Sequence, residues 1–311
     1  MDQVCDINNF QKLIEFIDRA KENLSPDFLL VILGPTASGK TKLAVKLAQH
    51  YHAEIISADS RQVYRKLDIG TGKDLHEYQD IPYHLIDIRN PDDLYDVKNF
   101  KQDFEQAYQD ISARGKATIL CGGTGSYIQS ILQDQPYSHI PKDEEFRRNK
   151  YELSKEALIE EIRSYQVPED FKIDWDNHKR LVRALEIVQY LKSNPLPQSK
   201  ERIVKDYLIL GLSPDLLSRR GRIDKRLDVR LKQGLLEEVE ALLKAEMTHE
   251  QLQWFGLEYK YASLYLLGEL DDEGFKKKLK TEIHRFAKRQ MTYFRKMEKD
   301  GIKINWITIQ V

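Results

Sequence analysis

Cysteine is nearly absent from the sequence, and long apolar runs are absent altogether. Among 311 residues only Cys5 and Cys121 occur, which excludes a disulfide framework and a cysteine-built zinc site and is typical of a reducing compartment. No apolar run approaches the roughly 18 residues that span a bilayer. The opening residues, MDQVCDINNF, lack the basic-then-apolar order of a signal peptide. We therefore expect a cytoplasmic protein with no membrane partner.

An excess of charge of one sign is missing as well. The chain has 49 Lys and Arg against 50 Asp and Glu, and its 41% apolar residues are typical of a globular protein of one or two domains. The charge is uneven, however, with nine basic residues against one acidic residue over 276–296, seven against two over 216–232, and seven against twelve over 133–177. Charge alone predicts either a polyanion-binding face or solvated helix faces.

Apolar periodicity alternates between strand and helix along the chain. Residues 10–24 predict an amphipathic helix capped by Asn8 or Asn9. Continuous apolar runs of the buried parallel type predict strands at 28–33, 54–58, 83–88, 117–121 and 206–212, followed by a short last strand at 302–309. Helices are predicted at 40–50, 97–113, 126–132 and 177–192, and over most of the chain from there to Lys296. This order predicts an α/β fold with a doubly wound parallel sheet.

A glycine-rich loop separates the first buried strand from the helix at 40–50. It fits the pattern G-x-x-x-x-G-K-[ST] with Gly34, Pro35, Thr36, Ala37, Ser38, Gly39, Lys40 and Thr41. In such a P-loop, backbone N–H groups and the helix N-terminus surround a phosphate chain, the lysine lies between phosphates, and the next hydroxyl binds Mg²⁺. The motif predicts a P-loop NTPase-like core, a di- or triphosphate ligand and a magnesium ion on Thr41, but it does not specify the reaction.

Two further strand ends point toward the same edge of the predicted sheet, where ligands of open α/β sheets bind. Asp59, Ser60, Arg61 and Gln62 follow the strand at 54–58, and a glycine-rich turn with Thr124 follows the strand at 117–121. Asp59 could hold Mg²⁺ through water, act as a general base or cap the next segment. The second turn could bind an anion, or be rich in glycine only because the packing there is tight.

Seven segments in this order resemble one family. The first four are GPTASGKT, IISADSRQVYRKLDIGTGK (Ile55–Lys73), HLIDIRNP (His84–Pro91) and CGGTGSYI (Cys121–Ile128). The others are RLVRALEI (Arg180–Ile187), RIDKRLDVRLKQGLLEEV (Arg222–Val239) and AKRQMTYFRK (Ala287–Lys296). These last three are similar to R-L-x-R-A-L-E, R-x-x-x-R-x-x-x-M-x-x-x-G-hydrophobic-x-x-E-V and A-K-R-Q-x-T-W-F-R. The combination resembles the tRNA dimethylallyltransferases, or tRNA isopentenyltransferases.

The resemblance implies three parts and includes a few departures. Residues 1–27 are expected to be a helical extension, 28–135 and 177–311 the P-loop core with its helical C-terminal part, and 136–176 a smaller, shortened all-helical insertion that contacts tRNA. Where the family writes I-G-Y-K-E, Glu258 stands in place of the expected Gly. Asp176-Asn177 reverses the usual Asn-Asp order, and Ile283-His284 stands where Thr-Arg is common. These departures leave the predicted diphosphate site intact.

The resemblance also implies a reaction, the transfer of a dimethylallyl group from dimethylallyl diphosphate to the N6 amine of the adenosine 3′ of the anticodon in tRNAs that read codons starting with U. The P-loop with Lys40, a Thr41-bound Mg²⁺ and an arginine would stabilise the departing diphosphate. Arg222 and Arg226 lie four residues apart on one helix face, and the sequence does not choose between them.

Further residue roles follow from the same resemblance. Asp59 would take the amine proton, and Thr124 would donate a hydrogen bond to the diphosphate or its bridging oxygen. Asp59, Ser60, Arg61 and Gln62 would also read an adenosine extruded from the anticodon loop. Additional tRNA contacts are expected from Arg147, Lys179, Arg180, Arg183, Arg285, Lys288, Arg289 and Gln290, in a protein that acts as a monomer.

The C-terminal helix has a pattern that supports RNA binding. At helical spacing, an apolar arc contains Leu279, Ile283, Phe286, Ala287, Met291 and Phe294. A different face carries a cationic stripe, which we define as Lys278, Arg285, Arg289 and Lys296. We expect no compensating acids one turn away from the stripe, and therefore a phosphate-binding surface.

Two alternatives to tRNA prenylation remain at this point. A prenyltransferase that acts on free adenine nucleotides would use the same chemistry, but it would not need a basic C-terminal helix or a helical insertion. A P-loop kinase or NTP-driven RNA-binding protein would need ATP-specific base contacts or a separate Walker-B aspartate. The only strand that resembles a Walker-B element is EIISAD, which the family resemblance already explains.

Overall fold

A computed structural model describes residues 9–198 and 202–308 of the chain. Its core is a six-stranded sheet in the order β3-β2-β4-β1-β5-β6. Every neighbouring pair is parallel. The strands are β1 (Leu29–Leu33), β2 (Glu54–Ala58), β3 (Tyr83–His84), β4 (Thr118–Gly122), β5 (Tyr207–Leu212) and β6 (Asn305–Ile307). The predicted α/β class with a parallel sheet is therefore confirmed.

Both faces of the sheet are buried, as a doubly wound fold requires. Along β1, Leu29, Val31 and Leu33 belong to one apolar cluster, while Leu30 and Ile32 belong to a second cluster on the opposite face. The first face is covered largely by α3 (Val97–Ala113), α4 (Gly125–Leu132) and helices of the C-terminal part. The second is covered by α1 (Phe10–Lys21) and α2 (Lys40–Tyr51).

The N-terminal helix α1 packs against the sheet. Asn9 is its N-cap, since the side chain accepts a hydrogen bond from the backbone N–H of Gln11 at 3.0 Å. Leu13, Ile14 and Ile17 are buried in the cluster that contains β1 and α2. The apolar spacing thus located this helix correctly, although it ends at Lys21 and not at Leu24.

The third strand is much shorter than the predicted 83–88. Extended structure ends at His84, because Leu85 and Asp87 adopt the left-handed conformation with φ of 62° and 57°. The carboxylate of Asp87 accepts a hydrogen bond from the buried ammonium of Lys73 at 2.5 Å. The prediction of a six-residue strand was wrong because an apolar run does not reveal such turns. The last strand is also shorter than 302–309, and residue 309 lies outside the described residues.

Residues Gln133–Arg202 form a second compact unit, of which 133–198 and 202 are described. Its helices are α5 (Glu144–Tyr151), α6 (Lys155–Arg163) and α7 (His178–Ser193). Leu158 and Ile162 of α6 pack against Leu181 and Leu185 of α7 in one apolar cluster. The expectation that α7 returns to the core was wrong, because its apolar face is used within this helical unit, which spans more than the predicted 136–176.

The C-terminal part of the first unit is helical after β5. It contains α8 (Leu216–Lys232), α9 (Leu235–Lys244), α10 (His249–Trp254), α11 (Leu257–Leu266) and the 28-residue α12 (Asp272–Lys299). In α12 the predicted apolar arc is buried at five of its six positions. Phe286 is the exception at 41% exposure, and it was wrongly assigned to the packed face.

Candidate active site

A pocket of about 380 Å³ lies beyond the carboxyl ends of β1, β2 and β4. Thr36, Lys40 and Thr41 of the P-loop line it, and so do the side chains that the sequence placed after β2. The remaining wall comes from the turn after β4, from the loop at 70–72 and from residues of α8, α11 and α12. The predicted convergence of the strand ends is therefore present in the structure.

The P-loop has the backbone of a phosphate-binding turn. Gly39 precedes α2 with φ of 88°, and Ala37 is also left-handed with φ of 59°. The ammonium of Lys40 donates to the carbonyl of Pro35 at 3.2 Å. Burial lowers the pKa of Lys40, opposed by the neighbouring carboxylate of Asp59. A buried ammonium with so little compensation is well suited to an anionic ligand.

Asp59 is both a local cap and a pocket residue. Its Oδ1 accepts a hydrogen bond from the backbone N–H of Arg61 at 2.9 Å, which fixes the carboxylate at the end of β2. The same side chain lines the pocket. Capping and a chemical role, which the sequence left as alternatives, are therefore compatible at this position.

Thr124 joins the two loops that follow β2 and β4. Its Oγ1 accepts from the backbone N–H of Ser60 at 3.1 Å, and its own N–H donates to the carbonyl of Ala58 at 3.1 Å. The glycine before this turn is required by packing, since a Cβ on Gly122 would lie 2.2 Å from the Ala58 carbonyl oxygen. The Thr124 O–H can still donate into the pocket, so the turn combines tight packing with a donor.

Gln290 connects the P-loop to the same turn. Its Oε1 accepts from the backbone N–H of Thr36 at 2.8 Å, while its Nε2 donates to the carbonyl of Gly123 at 3.0 Å. Both ends of the amide are thus occupied by loop backbone. The sequence assigned Gln290 to tRNA contact, whereas its contacts in the structure hold the pocket together.

Helix α8 contributes two arginines to the pocket, and only one of them was predicted. Arg226 lines it and donates to Asp74 Oδ2 at 2.8 Å and to the Gly72 carbonyl at 3.3 Å. Arg222, one turn earlier, is not among the lining residues, which favours Arg226 of the two candidates that the spacing left open. Arg230, one turn later, lines the pocket and pairs with Glu258 at 2.8 Å. The i, i+4 spacing was the signal that could have identified Arg230.

A loop after β2 is held rigidly next to these arginines. The carboxylate of Glu238 accepts from three consecutive backbone N–H groups, those of Asp68, Ile69 and Gly70, at 2.8–3.1 Å. Lys73 is 2% exposed and donates to Asp68 at 2.5 Å. Glu238 and Lys73 were not predicted as site residues, although both lie in motifs quoted above; their contacts shape one wall of the pocket.

The three residues after Asp59 differ in how many contacts their side chains make within the protein. Gln62 accepts from the Ser57 hydroxyl at 3.1 Å and donates to the Gly72 carbonyl at 3.0 Å. The guanidinium of Arg61 lies 4.4 Å from the centre of the Trp254 ring, and burial lowers its pKa. Ser60 lines the pocket beside them.

Part of the pocket lining is apolar. Phe255, Leu257, Ile283 and the half-exposed Phe286 contribute to it. A pocket whose lining includes both cations and hydrocarbon suits a ligand with a charged head and a short apolar tail. Phe286 therefore has a place in the site, which explains why it is not packed in the core.

Three of the four arginines and lysines predicted to bind tRNA from the helical unit form ion pairs within it, and two of these three share a buried carboxylate. Arg147 donates from Nη2 to Glu186 Oε2 at 2.8 Å, and Arg183 contacts the same carboxylate. Glu186 is 5% exposed. Lys179 and Arg180 are exposed, and Arg180 pairs with Asp174 at 2.5 Å. Exposure thus supports the prediction of tRNA contact for Lys179 and Arg180 better than for the other two.

The cationic stripe of α12 is exposed, but acids are present beside it. Arg285 pairs with Glu282 at 2.5 Å, and Arg289 lies 4.0 Å from the same carboxylate. Lys296 lies 4.0 Å from Asp300. The expectation that the stripe lacks compensating acids was therefore wrong. Lys288 instead lines a separate cavity of about 370 Å³ together with Arg219 and Arg295.

Metal ligation can be judged from the donor set. Within 9–198 and 202–308 no group of three or more His, Cys, Asp or Glu side chains could hold a metal ion by itself. Thr41 and Asp59 both line the pocket next to the P-loop. This set fits Mg²⁺ that takes most of its oxygen ligands from water and substrate phosphates.

Comparisons with known proteins agree on one family. A family model described as IPP transferase matches residues 62–297. A tRNA dimethylallyltransferase of Porphyromonas gingivalis is 48% identical over 90% of this chain and 93% of its own length. Another, from Bacteroides fragilis, is 44% identical over 91% and 93%.

Solved structures agree as well. The full-length tRNA isopentenylpyrophosphate transferase of Bacillus halodurans matches with a TM-score of 0.65 and 31% identity, over 92% of this chain and 91% of that one. A eukaryotic dimethylallyltransferase acting on tRNA shares the fold, with a TM-score of 0.71 and 24% identity over 91% and 74%. Among the helices of the described residues, none combines the length and apolar character needed to cross a membrane.

Proposed function

We infer that this chain, which belongs to the IPP transferase family of tRNA dimethylallyltransferases, transfers a dimethylallyl group from dimethylallyl diphosphate to an adenosine of tRNA and releases diphosphate. One observation carries the assignment of the reacting centre. A single pocket combines a P-loop lysine, an arginine, a carboxylate and an apolar wall, represented by Lys40, Arg226, Asp59 and Phe286. Those are the groups that an anionic leaving group, an amine nucleophile and a hydrocarbon group require.

The diphosphate end of the substrate is assigned to the P-loop. Backbone N–H groups at the start of α2, the ammonium of Lys40 and the guanidinium of Arg226 would oppose the charge that develops as the C–O bond breaks. Thr124 can donate its O–H to a diphosphate oxygen while it continues to accept from Ser60. Thr41, with Asp59 through water, would hold Mg²⁺, which supplies further charge neutralisation when bound.

The amine is the weak partner in this reaction, because its lone pair is delocalised into the purine ring. We assign Asp59 as the base that takes the amine proton as the C–N bond forms, an effect of about 10²–10⁴ in rate. The bond from Arg61 N–H to Oδ1 orients the carboxylate and leaves Oδ2 for this task.

The acceptor is assigned as the N6 amine of the adenosine 3′ of the anticodon, in tRNAs that read codons starting with U. Such a base must leave its stack to enter a pocket. Ser60 and Arg61 lie beside Asp59, and the Arg61 guanidinium, stacked near the Trp254 ring, offers a planar surface on which a base can stack. Gln62 is bonded to Ser57 and Gly72, so its contribution is to hold this segment. We further assign a monomer that works on cytoplasmic tRNA.

The experiment that tests this function is nucleoside mass spectrometry after incubation with dimethylallyl diphosphate and Mg²⁺. We expect a mass gain of one dimethylallyl group on adenosine in tRNA and none on AMP. A gain on AMP alone would support the free-nucleotide prenyltransferase. Saturable ATP hydrolysis or phosphoryl transfer without prenyl transfer would support the kinase alternative and falsify the assignment.

A further inference from the structure

The wall of the pocket contains an ion pair between residues that are remote in sequence. Arg230 Nη1 donates to Glu258 Oε1 at 2.8 Å, and the two side chains are 8% and 16% exposed. In the motifs quoted above, the letter at position 230 is Met and the letter at position 258 is Gly. The two departures are therefore each other's partner, which places a buried charge pair where the motifs have neither charge.

Arg230 is also the direct neighbour of Arg226. A Cβ built on Gly72 would lie 1.6 Å from Arg230 Nη2 and 2.4 Å from Arg226 Nη2, so the two guanidinium groups meet over this glycine. Burial lowers the pKa of Arg230, and the charge of Arg226 lowers it further. The Nε of Arg230 is buried and has no hydrogen-bond partner among the described residues. Two crowded cations with an unused donor favour an additional anion.

We propose that Arg230 is a second guanidinium of the diphosphate site beside Arg226, and that Glu258 is a positioning residue that orients it and offsets part of its charge. This inference rests on the proposed function, since it names a further residue for the same substrate. Each guanidinium is held by one carboxylate, Arg226 by Asp74 and Arg230 by Glu258. Such anchoring leaves other N–H groups of the fork for phosphate oxygens.

The arrangement predicts opposite effects for the two partners. Removing the cation of Arg230 weakens diphosphate binding, because charge-assisted hydrogen bonds are lost. Removing the negative charge of Glu258 strengthens it, because the carboxylate no longer competes with the diphosphate for the same guanidinium. A pair that served only to stabilise the fold would show lower stability in both variants and no such opposition.

The test uses inorganic diphosphate with Mg²⁺ as the probe and isothermal titration calorimetry on the full chain. We expect Arg230→Met to weaken binding by about 10- to 100-fold. We expect Glu258→Gln, which keeps the side-chain length and an acceptor oxygen, to tighten binding at least about threefold. The KM for dimethylallyl diphosphate should rise in the first variant, and inhibition by product diphosphate should strengthen in the second.

Two further variants separate binding from folding. Arg230→Met leaves Glu258 buried without its partner, so the double variant with Glu258→Gly removes both charges and should bind diphosphate as weakly as Arg230→Met alone. Arg222→Met is the matched control, because it makes the same substitution on α8 outside the pocket and should leave binding unchanged. Thermal unfolding of each variant confirms that the comparison is made between folded proteins.

The outcomes distinguish this inference from the function on which it rests. If the wild-type chain prenylates tRNA while Arg230→Met and the double variant bind diphosphate normally, Arg230 is structural and the inference fails alone. It also fails if Glu258→Gln weakens binding as Arg230→Met does. If the wild-type chain shows no prenyl transfer, the proposed function itself fails.

Discussion

The arginines of the pocket and those of the helical unit carry the same guanidinium group, but the structure uses them differently. Arg147 and Arg183 of the helical unit share the buried carboxylate of Glu186, which also accepts from the backbone N–H of Asp143. Arg226 and Arg230 of the pocket have separate carboxylates and line an open cavity.

The difference shows that the partners of an arginine decide its availability for substrate, and that its presence in a motif does not. A guanidinium has five N–H donors in a fixed fork. Arg183 donates hydrogen bonds to Glu186 and to the carbonyls of Pro141, Tyr137 and Ile140. Such an arginine organises its own unit. Arg226, with one carboxylate and one carbonyl, keeps donors for a ligand.

The strongest test of the pocket side concerns Asp59. Asp59→Asn retains an acceptor for the Arg61 N–H but is too weak a base for the amine proton. We expect single-turnover prenyl transfer to fall by about 10²–10⁴ while diphosphate binding and thermal stability stay nearly unchanged.

Ser57 offers a matched control for this substitution. It lies in β2 two residues before Asp59, lines the pocket and donates to Gln62, so Ser57→Ala should reduce the rate far less. Near wild-type turnover in the Asn variant would show that Asp59 only caps the turn or contacts the metal, and that the base lies elsewhere.

The strongest test of the helical unit concerns Glu186. Glu186→Ala leaves Arg147 and Arg183 without their shared buried carboxylate, and breaking a buried pair in this way costs about 3–5 kcal/mol. We expect faster hydrogen exchange and proteolysis confined to residues 133–202, with inorganic diphosphate binding unchanged. Glu144→Ala is the control, because that 75% exposed carboxylate also pairs with Arg147 and should cost less than about 1 kcal/mol.

Loss of diphosphate binding in Glu186→Ala would contradict the contrast between the two regions. It would mean that the pocket depends on the carboxylate at the centre of the other unit. The contrast is sharpened if only tRNA binding weakens, because the helical unit then serves the large substrate alone.

Sequence reasoning located the elements that depend on local pattern. The apolar runs of β1, β2, β4 and β5, the P-loop and the carboxylate after β2 were all predicted, because burial and spacing are visible within a few residues. The third strand was overpredicted, because the left-handed turns at Leu85 and Asp87 follow from contacts such as that with Lys73.

What the sequence could not show was pairing over long distances. Gln290 is 254 residues from Thr36, and Glu258 is 28 residues from Arg230, so no local pattern connects them. The side chains of Gln290 and Arg230 could have been surface contacts by their chemistry, but in the structure they bond to residues of other segments. Helix α7 was assigned to the core for the same reason, because an apolar helix face does not reveal which element packs against it.

Glu54 is another carboxylate held by basic side chains, and its contribution to the stability of the protein should depend on pH. Burial acts to raise the pKa of Glu54, but hydrogen bonds from Arg114 and His84 outweigh it and hold the pKa below its ordinary value. A depressed folded-state pKa stabilises the protein above the unfolded pKa of about 4.3, and this stability is lost as pH falls through the lower folded value. We expect Glu54→Gln to lower the free energy of unfolding by about 1–3 kcal/mol at pH 7. We also expect it to reduce the loss of stability at acidic pH, the acid limb of the curve of unfolding free energy against pH, as measured by urea unfolding. An unchanged acid limb would assign that limb to other carboxylates.

The smallest expected effect concerns the exposed cations of α12. Like the arginines of the helical unit they share a carboxylate, but like those of the pocket they keep donors for a ligand. Arg285 is 67% exposed in its side chain and shares Glu282 with Arg289, so its ion pair is weak and its guanidinium can exchange partners with a phosphate. Phosphate contacts to single-stranded nucleic acid contribute a slope of about −0.7 each to the salt dependence of binding.

We therefore expect Arg285→Ala and Arg289→Ala each to weaken tRNA binding severalfold and to flatten that slope by about one such unit, as measured by filter binding across a salt series. Arg285 gives the cleaner result, because Arg289 also lines the pocket and its loss can alter binding of dimethylallyl diphosphate. Lys276→Ala is the matched control, since this exposed lysine lies on the same helix outside the cationic stripe and pairs with Asp272. If Arg285→Ala changes neither affinity nor slope, Glu282 holds this arginine as firmly as Glu186 holds Arg147, and the path of the RNA does not cross this face of α12.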